Sequence, residues 1–219
     1  MRFPLMLCAA AVLGACQSTP PPPPEAVTDL SGKTCQADIS LVDAIALTPK
    51  NQKSWQDVFS QVGPETPCVG EGDAAANYVV FALPDFGPNH VITVGGQKQA
   101  RRTLAPKILL LDWEGTVTRE FAADKYDYRG GSYSVQFRPG ADDRFILVET
   151  DSALVGEIET RFETQLLMRQ GTVGLPNGGT ASYTTYSGKE GAQSRTFSHE
   201  GVVTVRVQAI KGKIGLPAP

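Results

Sequence analysis

Residues 104–150 constrain the fold more than any other part of the chain. Two dense apolar runs lie there, Ile108-Leu109-Leu110-Leu111 and Phe145-Ile146-Leu147-Val148. A run of four apolar residues bounded by turn signals is what a strand buried on both faces requires. Between the runs, Val117-Thr118-Arg119-Glu120-Phe121 and Tyr133-Ser134-Val135-Gln136-Phe137 alternate apolar with polar, as strands with one wet face do. Gly115, Gly130-Gly131 and Arg138-Pro139-Gly140-Ala141-Asp142-Asp143 supply the turns. Short connections between strands of this kind predict an antiparallel sheet.

The pattern extends in both directions. Tyr78-Val79-Val80-Phe81-Ala82-Leu83 and His90-Val91-Ile92-Thr93-Val94 read as strands, and Gly201-Val202-Val203-Thr204-Val205-Arg206-Val207 reads as a last one. Strand and turn units of roughly ten residues are the spacing of a β-sandwich. Helical spacing is expected in two places. Asp38 could cap a turn carrying Ile39, Val42, Ile45 and Ala46, and Trp55, Val58, Phe59 and Val62 recur beyond it, with Trp55 read as packing. From an N-cap at Asp151 or Ser152, Val155, Ile158, Phe162 and Leu166 form one face as far as Gly171. Residues 172–200, polar and rich in Gly, Ser, Thr and Tyr, read as a long loop. The expected fold is mainly β: one antiparallel β-sandwich-like domain over residues 34–219, with one or two short helices.

Residues 1–15 read as a targeting segment outside that domain. Arg2 precedes an apolar stretch, Leu5 to Leu13, too short to span a bilayer as a permanent helix. Leu13-Gly14-Ala15-Cys16 resembles the lipobox of bacterial lipoproteins, which implies cleavage before Cys16 and its lipidation. An ordinary secretory signal cleaved after Ala15 is the alternative. Several acyl chains, at about 0.8 kcal/mol per buried CH₂, would hold the protein permanently in a membrane. Gln17 stands where enteric lipoproteins retained at the inner membrane carry Asp, so the outer membrane is the expected destination. Pro20 to Pro24 then predict an extended polyproline II spacer, making residues 16–33 a tether.

With Cys8 in the signal and Cys16 lipidated, Cys35 and Cys68 remain to pair in an oxidising compartment. No metal site is expected: His90 and His199 lie far apart, without the short paired spacings that zinc prefers. Nothing implies a cofactor. A formal net charge of −3, with no run of Lys or Arg, disfavours nucleic acid as a partner.

Several segments, taken in order, carry a resemblance. Ala105-Pro106-Lys107-Ile108-Leu109-Leu110-Leu111-Asp112 resembles the Ala-Pro-x-apolar-Leu-x-Leu-Asp signature of the maltose operon periplasmic protein (MalM) family. Phe145-Ile146-Leu147-Val148-Glu149-Thr150-Asp151 with Leu154 is similar to that family's strand-to-helix junction. Glu200-Gly201-Val202-Val203-Thr204-Val205-Arg206-Val207 resembles its last strand, and residues 78–83 its first core strand. The similarity spans roughly residues 75–215, and the lipobox departs from the family pattern. The resemblance implies a periplasmic, non-enzymatic accessory of maltodextrin uptake, and it carries over no catalytic residue.

The candidate ligand-binding residues are Tyr126, Asp127, Tyr128, Arg129 and Tyr133, with Trp113 at the end of a neighbouring strand. Sugar sites combine flat aromatic faces with polar groups for hydroxyls, and Tyr offers both. Local packing of the same tyrosines at a sheet edge is the competing reading, and Tyr183 and Tyr186 are a weaker candidate pair. For catalysis, Asp142-Asp143, Asp124, Asp127 and Glu149 could supply a carboxylate pair. Asp142-Asp143, however, sits in a turn where solvated acids are the rule. Ser198-His199 lacks a nucleophile-elbow context. The expectation is a non-enzymatic lipoprotein accessory to carbohydrate transport or glycan binding. The alternative is an envelope adaptor contacting peptidoglycan or another outer-membrane protein.

Overall fold

The computed structural model describes residues 20–50, 55–84, 90–209 and 214–218. Residues 1–15, read from the sequence as a signal peptide, and Cys16, read as the lipidation site, lie outside the described residues. In chain order the first strands are β1 (Ile45–Ala46), β2 (Gln56–Val62), β3 (Cys68–Val69), β4 (Ala76–Ala82), β5 (His90–Gln97), β6 (Arg102–Leu104) and β7 (Pro106–Leu111). After them come β8 (Val117–Glu120), β9 (Asp127–Arg129), β10 (Ser132–Phe137), β11 (Phe145–Thr150), β12 (Ile158–Gly174), β13 (Thr180–Ser198) and β14 (Gly201–Ala209). Helix among the described residues is limited to two 3-10 turns, Gly72–Ala74 and Ala123–Lys125.

Two sheets face each other as a sandwich. The first runs β1-β4-β11-β7-β8, with β3 also on β4, and the second runs β2-β14-β5-β10-β9. Their facing side chains make the main core: Phe81, Ile108, Leu110, Ile146 and Val148 from the first, Ile92, Val94, Val135, Phe137, Val203, Val205 and Val207 from the second. The continuous apolar runs have a clear cause. The first sheet is covered on its other face too, where Tyr78, Val80, Leu109, Leu111 and Leu147 pack under Ile39, Leu41 and Ala44. Alternate residues of one strand therefore enter two different cores.

The cover is held by covalent and polar ties. Cys35 and Cys68 form a disulfide, with Cα atoms 4.7 Å apart. The Tyr78 hydroxyl donates to Gln36 Oε1 at 3.1 Å and accepts from the Ser40 N–H at 3.0 Å. Farther along, the β9–β10 hairpin turns at Gly130-Gly131, where Gly130 takes the positive φ (61°) that a two-residue hairpin loop needs.

The turn expected after Asp38 is irregular backbone leading into β1, with Val42 exposed, and the two longer helical expectations fail for one physical reason. Trp55, Phe59 and the pair Val58, Val62 are spaced by four, as are Ile158, Phe162 and Leu166. A spacing of four fits one helical face and also one face of a strand. The register decides for strands. Val58 and Val62 turn toward the core on β2, and Trp55 is 67% exposed rather than packed inside. Residues 158–174 pair with 180–198 in a long antiparallel hairpin, so neither a helix over 152–171 nor a loop over 172–200 exists. Thr160, Thr164 and Thr172 on β12 and the Thr- and Tyr-rich β13 suit extended backbone.

Candidate ligand-binding site

The proposed tyrosines come together, but as packing. Tyr126 stacks on Tyr133 at 5.5 Å between ring centres, Tyr128 meets Tyr133 at 5.2 Å, and Tyr133 meets Phe197 at 5.3 Å. The Tyr126 hydroxyl accepts the Ile108 N–H at 2.8 Å, and burial pushes its phenol well above the usual range. Burial also raises the Tyr133 phenol. Tyr128 lies under Lys98 and Arg161, 5.4 and 4.9 Å from its ring centre. Trp113 stands apart. It follows the C-terminal end of β7, whereas Tyr126 packs beside its start, and it rests edge-on against Phe145 with Arg144 over its ring. Asp127 is exposed and turned back on the Tyr128 N–H at 2.7 Å. The sequence-derived set is therefore not one site.

Arg129 belongs to a different surface. Residues of β9 and β10 alternate, so Arg129 and Ser132 face outward from the second sheet where Tyr128 and Tyr133 face in. On that outer face lies a groove of about 330 Å³. Arg129, Ser132 and Gln136 line one side, Thr93 and Gln97 the floor, and Thr204, Arg206, Asp57 and Phe59 the other. Each is an outward position of a strand whose inward neighbours are locked in the core, which makes the lining rigid.

The groove is wired by its own hydrogen bonds. Gln136 Nε2 donates to Thr93 Oγ1 at 3.1 Å, and the Ser132 and Thr204 hydroxyls lie 2.9 Å apart. Arg206 makes a two-pronged contact with Asp57 at 2.6 and 2.8 Å, which raises the guanidinium's already high pKa. The Arg206 guanidinium also sits 5.5 Å from the ring centre of exposed Trp55. Phe59 is 62% exposed on the same wall. The single carboxylate in the lining is neutralised by its arginine. The groove thus offers a ring face, guanidinium forks, amides and hydroxyls, groups of the kind that can bind hydroxyls, and one paired carboxylate rather than an acid–base pair.

Other clusters read as structural. Asp143 is not the solvated turn acid expected from its sequence: it is buried, accepting from the Thr118 hydroxyl at 2.5 Å and the Gly140 N–H at 2.6 Å. Ser198 is buried and accepts the Val27 N–H at 2.9 Å, while His199 Nδ1 lies 3.0 Å from the Thr150 hydroxyl. The Ser198 side chain thus holds the docked N-terminal segment, and the His199 ring ties the same stretch to β11. A depression of about 390 Å³ at the β1/β2 edge carries Asp43 and Glu65 with no cation in its lining. Among the described residues no group of His, Cys, Asp and Glu could hold a metal ion.

Trp55 and Phe59 were missed because their four-residue spacing reads as helical. The signal that finds them is on β14, where Val203-Thr204-Val205-Arg206-Val207 alternates strictly and pairs with residues 56–60. No family model matches the chain, and no curated protein or solved structure is significantly similar to it.

Proposed function

We propose that this chain is a lipoprotein, lipidated on Cys16 and held at the periplasmic face of the outer membrane, that binds a glycan without catalysis in support of maltodextrin-type transport. The observation that carries the glycan reading is the groove on the outer face of the second sheet, where exposed Phe59 lines a wall with Arg206 and Arg129 over a floor of hydroxyl and amide groups, and exposed Trp55 lies beside Arg206. A pyranose presents an apolar face to a ring and hydroxyls to forked donors, and the groove has both. The ordered motifs resembling the MalM family support the transport context, and the lipobox-like residues 13–16 support the anchor.

Calorimetry of the chain from Gln17 onward against maltodextrins and peptidoglycan fragments tests the reading. Saturable binding to a maltodextrin, weakened at least about tenfold by Phe59→Ala or Arg129→Ala with the circular dichroism unchanged, is expected. No heat with either class of glycan would sink it. The role would then pass to the alternative reading, an envelope adaptor.

A further inference from the structure

The β12–β13 hairpin is an arm. Its strands have 17 and 19 residues, so at about 3.3 Å per residue it extends roughly 55 Å. Only residues 196–198 of β13 join another strand, β6. The register divides the arm into two faces that differ mainly in charge, with exposed Leu167, Val173 and Tyr183 lying among the charges. Of the seven charged residues in the two strands, Glu159, Arg161, Glu163, Arg169, Lys189 and Arg195 share one face, and Glu190 alone lies on the other. That other face carries Ile158, Phe162, Leu166, Met168 and Tyr186, all exposed, Phe162 at 85%.

The charged face is the one that holds the arm to the domain. Glu163 bridges Arg195 at 2.8 Å and Lys98 at 2.9 Å, and Arg161 covers the Tyr128 ring. The apolar face therefore points away from the sandwich. The N-terminal segment docks at the root of the same arm. Arg102 donates to the Glu25 carbonyl at 3.1 Å, Glu25 also pairs with Arg101, and the His199 N–H donates to the Val27 carbonyl at 2.8 Å. From Glu25 back to Cys16 the sequence is Pro-rich, and a polyproline II tether of that length would reach about 28 Å at 3.1 Å per residue.

We infer that the arm is a second membrane contact, laying its apolar face along the lipid surface beside the lipidated Cys16. The inference rests on the proposed lipid anchor. The surface it needs is long, flat and uncharged where the chain is apolar, and it must lie within a tether's length of the arm's root. A bilayer interface meets each condition, and aromatic side chains such as Phe162 and Tyr186 suit its boundary. Glu190, exposed opposite Thr164, is the one charge that this placement would leave in the headgroup layer. With two contacts the domain is held in one orientation, charged face of the arm and sandwich toward the periplasm.

The test is a set of single-cysteine variants of the mature lipidated chain, labelled with an environment-sensitive fluorophore on vesicles of phosphatidylethanolamine and phosphatidylglycerol. Phe162→Cys, Leu166→Cys and Met168→Cys should brighten severalfold and be quenched by bilayer-borne spin labels, while Leu167→Cys and Arg169→Cys should not. No alternation overturns the inference. So does equal brightening without vesicles that grows with protein concentration, which would assign the face to a second copy. Mass analysis of the N-terminal peptide judges the anchor separately. If Cys16 is unacylated, the same labels on the Cys16→Ser chain with excess vesicles decide the arm alone.

Discussion

The Arg206 guanidinium grips the Asp57 carboxylate at 2.6 and 2.8 Å, clamping β14 to β2 across the outer face of the second sheet. Both side chains are partly exposed, at 47% and 30%, so the pair adds little to stability. Its role in the groove is to aim the guanidinium. Asp57→Asn should change the unfolding free energy by less than about 1 kcal/mol in urea titration, yet weaken maltodextrin binding as Phe59→Ala does. A large stability loss with unaltered binding would count against this division of labour.

The disulfide closes a separation of 33 residues and pins the cover over the outer core. Replacing Cys35 and Cys68 with Ala should lower stability by about 3–4 kcal/mol, the range expected for a loop of that size. Urea midpoints of the variant and of the reduced parent should agree. Alkylation of unreduced protein should label neither cysteine.

Burial holds the His199 imidazole below its ordinary value near 6.5, with Asp29 opposing the shift and Lys33 adding to it. Between the folded value and 6.5 the unfolded chain binds the extra proton more readily than the folded one. Stability from the neutral ring is thus complete above about pH 6.5 and falls as the pH drops below it. The melting temperature should decline between about pH 7 and 5, and His199→Asn should flatten that slope even where it lowers the baseline. An unchanged slope would place the acid sensitivity elsewhere.

Gly96 lies where β5 meets the end of β6. A Cβ there would stand 2.2 Å from the Leu104 carbonyl oxygen, a backbone atom that cannot step aside. Gly96→Ala should cost about 1–3 kcal/mol or prevent folding altogether, read as a lower melting temperature or loss of soluble protein. Gly131→Ala, with open space around it, is the control and should fold normally.

Much of this architecture was legible in the chain itself. The runs at 108–111 and 145–148 require strands covered on both faces, and the structure supplies a sandwich partner on one side and the disulfide-tied cover on the other. The alternation at 201–207 and 133–137 placed one face of each strand in the core. These signals are local, because burial demands apolar atoms wherever a side chain points inward. Pairing of Cys35 with Cys68 followed from reading Cys8 and Cys16 as signal and lipidation-site residues, and the structure bonds those two, Cys35 and Cys68.

What the tertiary structure alone decided is where residues spaced by four would point, and which polar groups would meet. Residues 158, 162 and 166 satisfy helix and strand equally until β13 pairs with them, and β13, exposed along most of its length, has no apolar stripe to announce it. The tyrosines at 126, 128 and 133 are neighbours in sequence, yet the pleat sends them inward while Arg129 turns out to join Phe59 and Arg206 from strands far away in the chain. Asp143 and Ser198 likewise owe their burial to partners at Thr118 and Val27. Local pattern reports whether a side chain wants water, whereas only the pairing of distant strands determines what it faces instead.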